Sequence, residues 1–334
     1  MTTPTQIRLI KRPDGVPQDD VWEKTHDAPR DLEDGEIAVD VEYISVDPAM
    51  RGWMTDVPSY VPPVGLGEVM RAGGIGKVTA SKSDKFAVGD SVLGVPGVQT
   101  HYVGPAEGFT KIMPELAPPE KFIGGLGMPG MTGYFGLLEV GQPKEGETVL
   151  VSGAAGAVGS VVGQISKIKG CRVVGIAGGK EKCEMVVRDY GFDACIDYKN
   201  DNLSAALKSE CPNGVDIYFD NVGGTILEKA LANLAMHGRI VLCGAISQYN
   251  NIGDTPMAGP SNYIQLLVKR GRMEGFVIFD YSAKFRHAIM EMLGWSQEGK
   301  LRLDEHIVEG IENFPETLRM LFDGRNKGKL IVKV

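Results

Sequence analysis

Residues 149–170, VLVSGAAGAVGSVVGQISKIKG, begin as an apolar run, break into glycine and alanine, and then resume apolar residues at helical spacing. Inside the break the chain reads Ala154-x-Gly156-x-x-Gly159, the G-x-G-x-x-G spacing with alanine at its first position. So few side chains let backbone N–H groups approach a pyrophosphate, and a helix starting there adds the partial positive charge of its N-terminus. An apolar strand at 148–152 precedes the break, and Val158, Val161, Val162, Ile165 and Ile168 mark the buried side of a helix after it. That context, more than the glycines, makes the stretch a dinucleotide site. Ala154, Gly156, Ala157, Val158 and Gly159 are its first expected contacts. The second strand, RVVGIAG, runs into GKEKC, where an NAD site carries an acid for the ribose 2′-hydroxyl. Here the turn offers Gly178, Gly179, Lys180 and Lys182, whose ammonium groups attract a 2′-phosphate, while Glu181 falls inside the next helix. NADP is therefore expected over NAD.

The elements that must hold this turn follow from periodicity. From about Pro129 apolar strands alternate with helices: TVLVSG, a helix at 156–169, RVVGIAG, a helix at 181–190, ACIDY, a helix near 202–210, VDIYFDNVG, a helix at 224–236, and RIVLCGAI. Such alternation implies right-handed crossovers and a parallel sheet covered on both faces. Gly170, Gly191 and Gly238 stand where left-handed cap residues are expected. A long amphipathic segment, SAKFRHAIMEMLGWSQEGK, closes the region. The first third reads differently. In EIAVDVEYISV the residues Ile37, Val39, Val41 and Tyr43 share one face, which predicts a strand in a sheet open to water on one side, and GIGKVTAS and KFAVGDSVLGV follow at short intervals. The last stretch returns to short strands plus one helix, ends on an apolar–polar alternation, and is expected to rejoin the N-terminal domain.

At 334 residues the chain suggests two domains. Its net charge of −8 sets up a field that repels phosphate backbones and argues against nucleic acid as the main partner. The first residues carry no apolar leader core and no run approaches 18 uncharged apolar residues, so no signal peptide or membrane contact is expected and the cytoplasm is the expected compartment. The five cysteines, Cys171, Cys183, Cys195, Cys211 and Cys243, lack C-x-x-C spacing and read as reduced thiols.

The segment GMPGMTGYFGLLEVGQPKEGETVLVSGAAGAVGSVVGQISKIKGCRVVGIAGGKEKC, together with SVDPAMRG, DNVGG and the terminal GRNKGKLIVKV, resembles the zinc-independent medium-chain dehydrogenase/reductases. Within them it is similar to the branch of prostaglandin reductase, plant alkenal double-bond reductases and bacterial curcumin reductase. The resemblance implies an α/β chain in which a GroES-like, β-rich catalytic domain, residues 1–128 and 300–334, encloses an inserted Rossmann domain with a doubly wound parallel sheet, residues 129–299. It implies a homodimer. It further implies that Lys182, Tyr198 and Asn221 contact NADP and that Thr132 and Asn326 lie near the cofactor; Gly178, Cys243 and Phe276 complete the expected cofactor set. Zinc alcohol dehydrogenases share the superfamily, but their catalytic zinc needs Cys and His from the catalytic domain. The N-terminal third has no Cys and only His26 and His101, so no metal is expected, and His237, His287 and His306 read with them as surface or structural residues.

Without a metal, hydride transfer to the β-carbon of an α,β-unsaturated ketone or aldehyde is the favoured chemistry. Charge then develops on the carbonyl oxygen, where Tyr or ribose hydroxyls or water suffice as donors. Tyr60 in PSYVPPV and Tyr249 in SQYNN are the candidate catalytic donors. Relatives commonly read DPYMRG where this chain has DPAMRG, so Ala49 implies a roomier or less polar pocket. Met50, Met54, Met70 and Met257 are candidate pocket linings, as is Tyr263, and Arg51 is expected to brace the fold. The loop AISQYNNIGDTPMAGPSNYIQ is expected to order over the bound nicotinamide. Two rival readings stand beside this one: an NADPH quinone oxidoreductase, and a catalytically silent NADPH-binding protein.

Overall fold

The computed structural model describes residues 3–251 and 259–334, which form two compact units: residues 3–124, 249–251 and 305–334, and residues 125–248 and 259–304. The first unit opens with strands β1 (Gln6–Leu9) and β2 (Trp22–Thr25), paired antiparallel. Then come β3 (Glu36–Ser45), helix α1 (Met50–Trp53), β4 (Gly74–Ser81), β5 (Ser91–Gly94), β6 (His101–Pro105), β7 (Thr110–Lys111) and α2 (Pro119–Ile123). Strand β3 is the axis of this sheet, antiparallel to both β4 and β6.

That position changes the expectation for EIAVDVEYISV. Glu36 to Val39 are all buried, as are Ile44 and Ser45, and only Asp40, Glu42 and Tyr43 reach water. The register against β4 shifts between Val41 and Tyr43, so alternation breaks, and partners on both sides cover the strand ends. The cost of burying Glu36 is met by Arg30, which donates two hydrogen bonds of 2.6 Å, and by the Glu33 N–H at 2.8 Å.

In the second unit α3 (Met128–Phe135) precedes β8 (Thr148–Ser152), α4 (Ala157–Ile168), β9 (Arg172–Ala177), α5 (Lys180–Tyr190), β10 (Ala194–Asp197), α6 (Leu203–Glu210), β11 (Val215–Asp220), α7 (Gly224–Ala232), β12 (Leu234–Leu242), α8 (Ile264–Lys269), β13 (Arg272–Gly275) and α9 (Phe285–Gln297). The six strands lie in the order β10-β9-β8-β11-β12-β13, every pair parallel. This is the 3-2-1-4-5-6 order of a dinucleotide-binding Rossmann sheet, whose direction of winding reverses between β8 and β11. Its strands are continuous apolar runs because helices cover both faces. Gly170 and Gly191 take the expected left-handed conformation, with φ of 79° and 70°. Gly238 does not. Helix α7 ends at Ala232, and Gly238 lies inside β12 beside His237, where a Cβ would meet the Leu234 side chain at 2.6 Å and the Val215 carbonyl oxygen at 2.9 Å. It is a packing glycine, not a helix cap.

Strands β14 (Glu305–Glu309) and β15 (Lys329–Lys333), with α10 (Phe314–Asp323) between them, return to the first unit. Strand β15 lies between β14 and β3, antiparallel to β3, so the C-terminal stretch joins the N-terminal sheet. Held from both sides, Lys329 to Val332 are all buried instead of alternating.

Candidate active site

The Gly-Ala turn joins β8 to α4 as its sequence requires. Gly153 has φ +62°, a region that favours glycine, and Gly156 is the N-cap of α4 with no side chain capping the helix. The first N–H groups of a helix have no acceptor within it. A Cβ on Gly159 would lie 2.3 Å from the Gly153 carbonyl oxygen and 2.9 Å from the Ala154 Cα, so only glycine lets the helix cross this close to the turn. Ala154 is fully buried and its N–H donates to the Ile176 carbonyl at 3.1 Å; the Gly156 N–H donates to the Gly153 carbonyl at 2.9 Å. Those two motif amides are engaged within the protein. The amides at the start of α4, from Ala157 to Gly159, are the ones the geometry offers to an anion, and this cradle fits a pyrophosphate.

At the end of β9 there is no acid: Ala177 is followed by Gly178 and by Gly179, the N-cap of α5. A Cβ on Gly178 would meet the Tyr198 ring at 2.9 Å and the Lys199 Cε at 2.9 Å, so both side chains lie across this glycine. Lys180 is exposed, Lys182 half-buried, and Glu181 stands exposed in the first turn of α5. The turn is set by Asp197, which accepts the Gly179 N–H at 2.7 Å, the Lys199 N–H at 3.1 Å and the Asn200 side chain at 2.7 Å. Burial opposes its charge, but these donors outweigh burial and hold the carboxyl below the usual carboxylate range. Lys199 and Asp197 were not among the expected contacts, although the run DYK after the third strand carries both.

A second loop is tied to β8. The Asn221 N–H donates to Ser152 Oγ at 2.9 Å and its side-chain amide to the Ser152 carbonyl at 2.7 Å. Fully buried Asp220 accepts at Oδ1 from the Tyr218 hydroxyl (2.7 Å), the Ser152 hydroxyl (3.2 Å) and the N–H groups of Val222 (3.0 Å) and Gly223 (2.8 Å), while its Oδ2 is buried without a partner. Burial raises the Asp220 carboxyl above its ordinary value. The Asp220 carbonyl takes the Cys243 N–H at 2.9 Å, and burial, with Asp220 nearby, pushes the Cys243 thiol up to about 12. Downstream, the Ser247 hydroxyl donates to the Val222 carbonyl at 2.6 Å. The Thr132 hydroxyl donates to the Met128 carbonyl at 2.8 Å, leaving its lone pairs to accept. The Phe276 ring packs on Gly136, and Tyr263 is exposed at the start of α8.

In the first unit Tyr60 is 60% exposed on a loop of residues 56–63 that frames a surface hollow. Ala49 is the half-buried N-cap of α1, and the single turn Tyr249–Asn251 packs on that helix. Met50, Met54 and Met70 are fully buried in one hydrophobic core with Ile44 and Phe314. Met50, Met54 and Met70, the expected pocket linings, all fill that core here. Met257 and part of the loop expected over the nicotinamide, residues 245–265, lie outside the described residues. Arg51 is a brace, its buried guanidinium donating to the Gly15 carbonyl at 2.9 Å, the Thr55 hydroxyl at 2.6 Å and the Pro13 carbonyl at 3.3 Å. Asn326 donates weakly to the Gly328 carbonyl at 3.4 Å.

Residues 5–112 match the family described as the N-terminal domain of oxidoreductase, and residues 157–294 match the family described as zinc-binding dehydrogenase. Among the described residues no three His, Cys, Asp or Glu side chains converge where a metal ion would sit. The chain is 41% identical over 329 residues to the NADPH-dependent curcumin reductase of Escherichia coli, covering 98% of this chain and 95% of that one. It is 44% identical over 295 residues to the NADP(+)-dependent 2-alkenal reductase of Nicotiana tabacum, covering 87% and 85%. The crystal structure of CurA in complex with NADPH from Vibrio vulnificus superposes with a TM-score of 0.93 at 42% identity, covering 99% of each chain.

Proposed function

The chain belongs to the zinc-independent medium-chain dehydrogenase/reductases, in the branch of the prostaglandin, 2-alkenal and curcumin reductases, and on that footing we propose that it uses NADPH to reduce the carbon–carbon double bond of α,β-unsaturated ketones and aldehydes. The observation that carries the reading is the turn after β9: no acid, two lysines on α5, and Tyr198 and Lys199 across Gly178, in a chain whose near full-length relatives are named for NADP and for conjugated carbonyl substrates.

NADPH, when bound, supplies a hydride for the β-carbon of the substrate. This chain's residues bind and orient it. The first-turn amides of α4 take the pyrophosphate, Lys182, Tyr198 and Lys199 take the 2′-phosphate, and Asn221, held by Ser152, edges the site together with Cys243, Phe276 and Thr132. The Tyr60 and Tyr249 hydroxyls are assigned to the substrate carbonyl oxygen, where a donated hydrogen bond strengthens as negative charge accumulates. Ala49 leaves space that a tyrosine would fill. Residues 1–128 and 300–334 serve as the catalytic domain and residues 129–299 as the cofactor domain. The protein works in the cytoplasm as a homodimer.

The test is NADPH oxidation, followed by nicotinamide absorbance, against enones, enals, a saturated ketone and a simple quinone, with product analysis. Saturated carbonyl products from the enones, with the saturated ketone inert, are expected. Turnover of the quinone alone overturns the double-bond reading in favour of a quinone oxidoreductase, and binding without any turnover leaves only the cofactor assignment.

A further inference from the structure

Two cysteines that this reading leaves unused stand behind the turn that carries it. Cys183 follows Lys182 in α5, and Cys195 lies on β10 two residues before Asp197. Their sulfurs are 3.0 Å apart, the Cys195 thiol donating to the Cys183 sulfur. The two elements they sit on meet again at the turn itself, where Asp197 holds the N–H of Gly179, the N-cap of α5, at 2.7 Å.

We propose that Cys183 and Cys195 form a reversible disulfide when the protein meets a hydroperoxide, and that closing it weakens NADPH binding at the adjacent turn. The inference rests on the reading of that turn as the 2′-phosphate site. In the step two S–H bonds and the peroxide O–O bond break and one S–S bond forms. The thiol pair gives up two electrons, and hydrogen peroxide, accepting them with both protons, leaves as two waters.

Geometry supplies the coupling. A disulfide is about 2.05 Å long, so the sulfurs must close by roughly 1 Å. Cys183 moves with its neighbour Lys182, and Cys195 moves with the strand that ends in Asp197, just before Tyr198, so the correction falls on residues that shape the turn. Burial, the largest influence on each thiol, raises both above the ordinary cysteine value. The thiolate is the nucleophile, so the pair reacts slowly. The disulfide carries no charge, so burial does not oppose it, and reduction regains no stabilised thiolate. The pair is thus slow to close and slow to reopen, unlike a rapidly cycling catalytic dithiol.

The purified protein and its Cys195→Ser variant are treated with hydrogen peroxide, then alkylated in denaturant and mapped by peptide mass, while NADPH Kd is measured by fluorescence titration before oxidation, after it, and after dithiothreitol. A peptide linking Cys183 to Cys195 is expected in the unsubstituted protein, with an NADPH Kd at least fivefold higher that dithiothreitol restores. In Cys195→Ser, or in Cys195→Ala should the serine variant fold poorly, peroxide should leave the Kd unchanged. The absence of that linked peptide overturns the proposal, as does its formation with unaltered Kd, or an equal loss of affinity in the variant. Equal affinity of the reduced protein for NADH and NADPH removes the 2′-phosphate reading instead, and the linked peptide with its effect on Kd still decides the disulfide.

Discussion

Gly178 and the side chains that cross it are the few atoms on which the proposed reading rests the coenzyme specificity. With no Cβ at that position, the Tyr198 ring and the Lys199 stem lie where a larger residue would stand, and Lys182 stands half-buried in the first turn of α5. A charge-assisted hydrogen bond to phosphate is worth about 1.5–3 kcal/mol, so losing one lysine costs roughly tenfold or more in affinity. Lys182→Ala is therefore expected to raise the KM for NADPH about tenfold at nearly unchanged kcat, while the KM for NADH stays within about twofold. Lys199→Ala should act in the same direction. If both ammonium groups serve one anion, as proposed, the double variant should fall short of the product of the two. Steady-state kinetics with both coenzymes measures this, and a parallel loss with NADH would place these lysines in folding rather than in phosphate recognition.

At the scale of elements, the buried end of β3 makes a pH-dependent contribution that its carboxylate dictates. The Arg30 guanidinium, first, and the Glu33 N–H hold the Glu36 carboxyl down to about 2, against an unfolded value of about 4.3. A depressed carboxylate stabilises the fold fully above its unfolded pKa and loses that contribution as pH falls toward its folded pKa, so the window lies between about pH 4.3 and about pH 2. Glu36→Gln should lower Tm at pH 7 and flatten the fall in Tm between pH 5 and pH 3, as differential scanning calorimetry at both ends would record. What sequence made legible here was local. The Gly-Ala turn, the start of α4 and the left-handed caps at Gly170 and Gly191 depend on neighbours a few positions apart, and each is where local pattern puts it, whereas the expected stripe of α4 is not: Val158 and Ile168 are half-buried while Ser160, Gln164 and Ser166 are buried. What it hid was non-local. Ser152 meets Asp220 across 68 positions because β8 and β11 are adjacent in the sheet, and no spacing rule encodes that. Met50 reads equally well as pocket or core until Ile44 and Phe314 close around it, and Gly238 looks like a cap until a register irregularity near Val215 draws β12 back to Leu234.

For the molecule as a whole, the open side of the second unit's sheet is the feature that argues for a partner copy. Among the described residues strand β13 pairs with β12 alone, so its outer N–H and C=O groups form an edge of the kind that invites strand addition. The helix before it presents Ile264, Leu267 and Val268, with Leu267 73% exposed, so an apolar surface flanks the free edge. Scattered apolar residues on a surface need no explanation, but apolar residues on one short helix beside an unpaired strand would be covered together by a second copy related by a twofold axis, which pairs like with like. The chain is thus expected to run at twice its own mass in size-exclusion chromatography with light scattering. Leu267→Asp places a charge where that contact would bury it and should shift the mass toward the monomer while leaving the Cys183–Cys195 pair and the α4 turn in place. Retention of NADPH binding in the same variant separates loss of assembly from loss of fold. A dimeric mass unaltered by Leu267→Asp would move the interface to another surface of the chain.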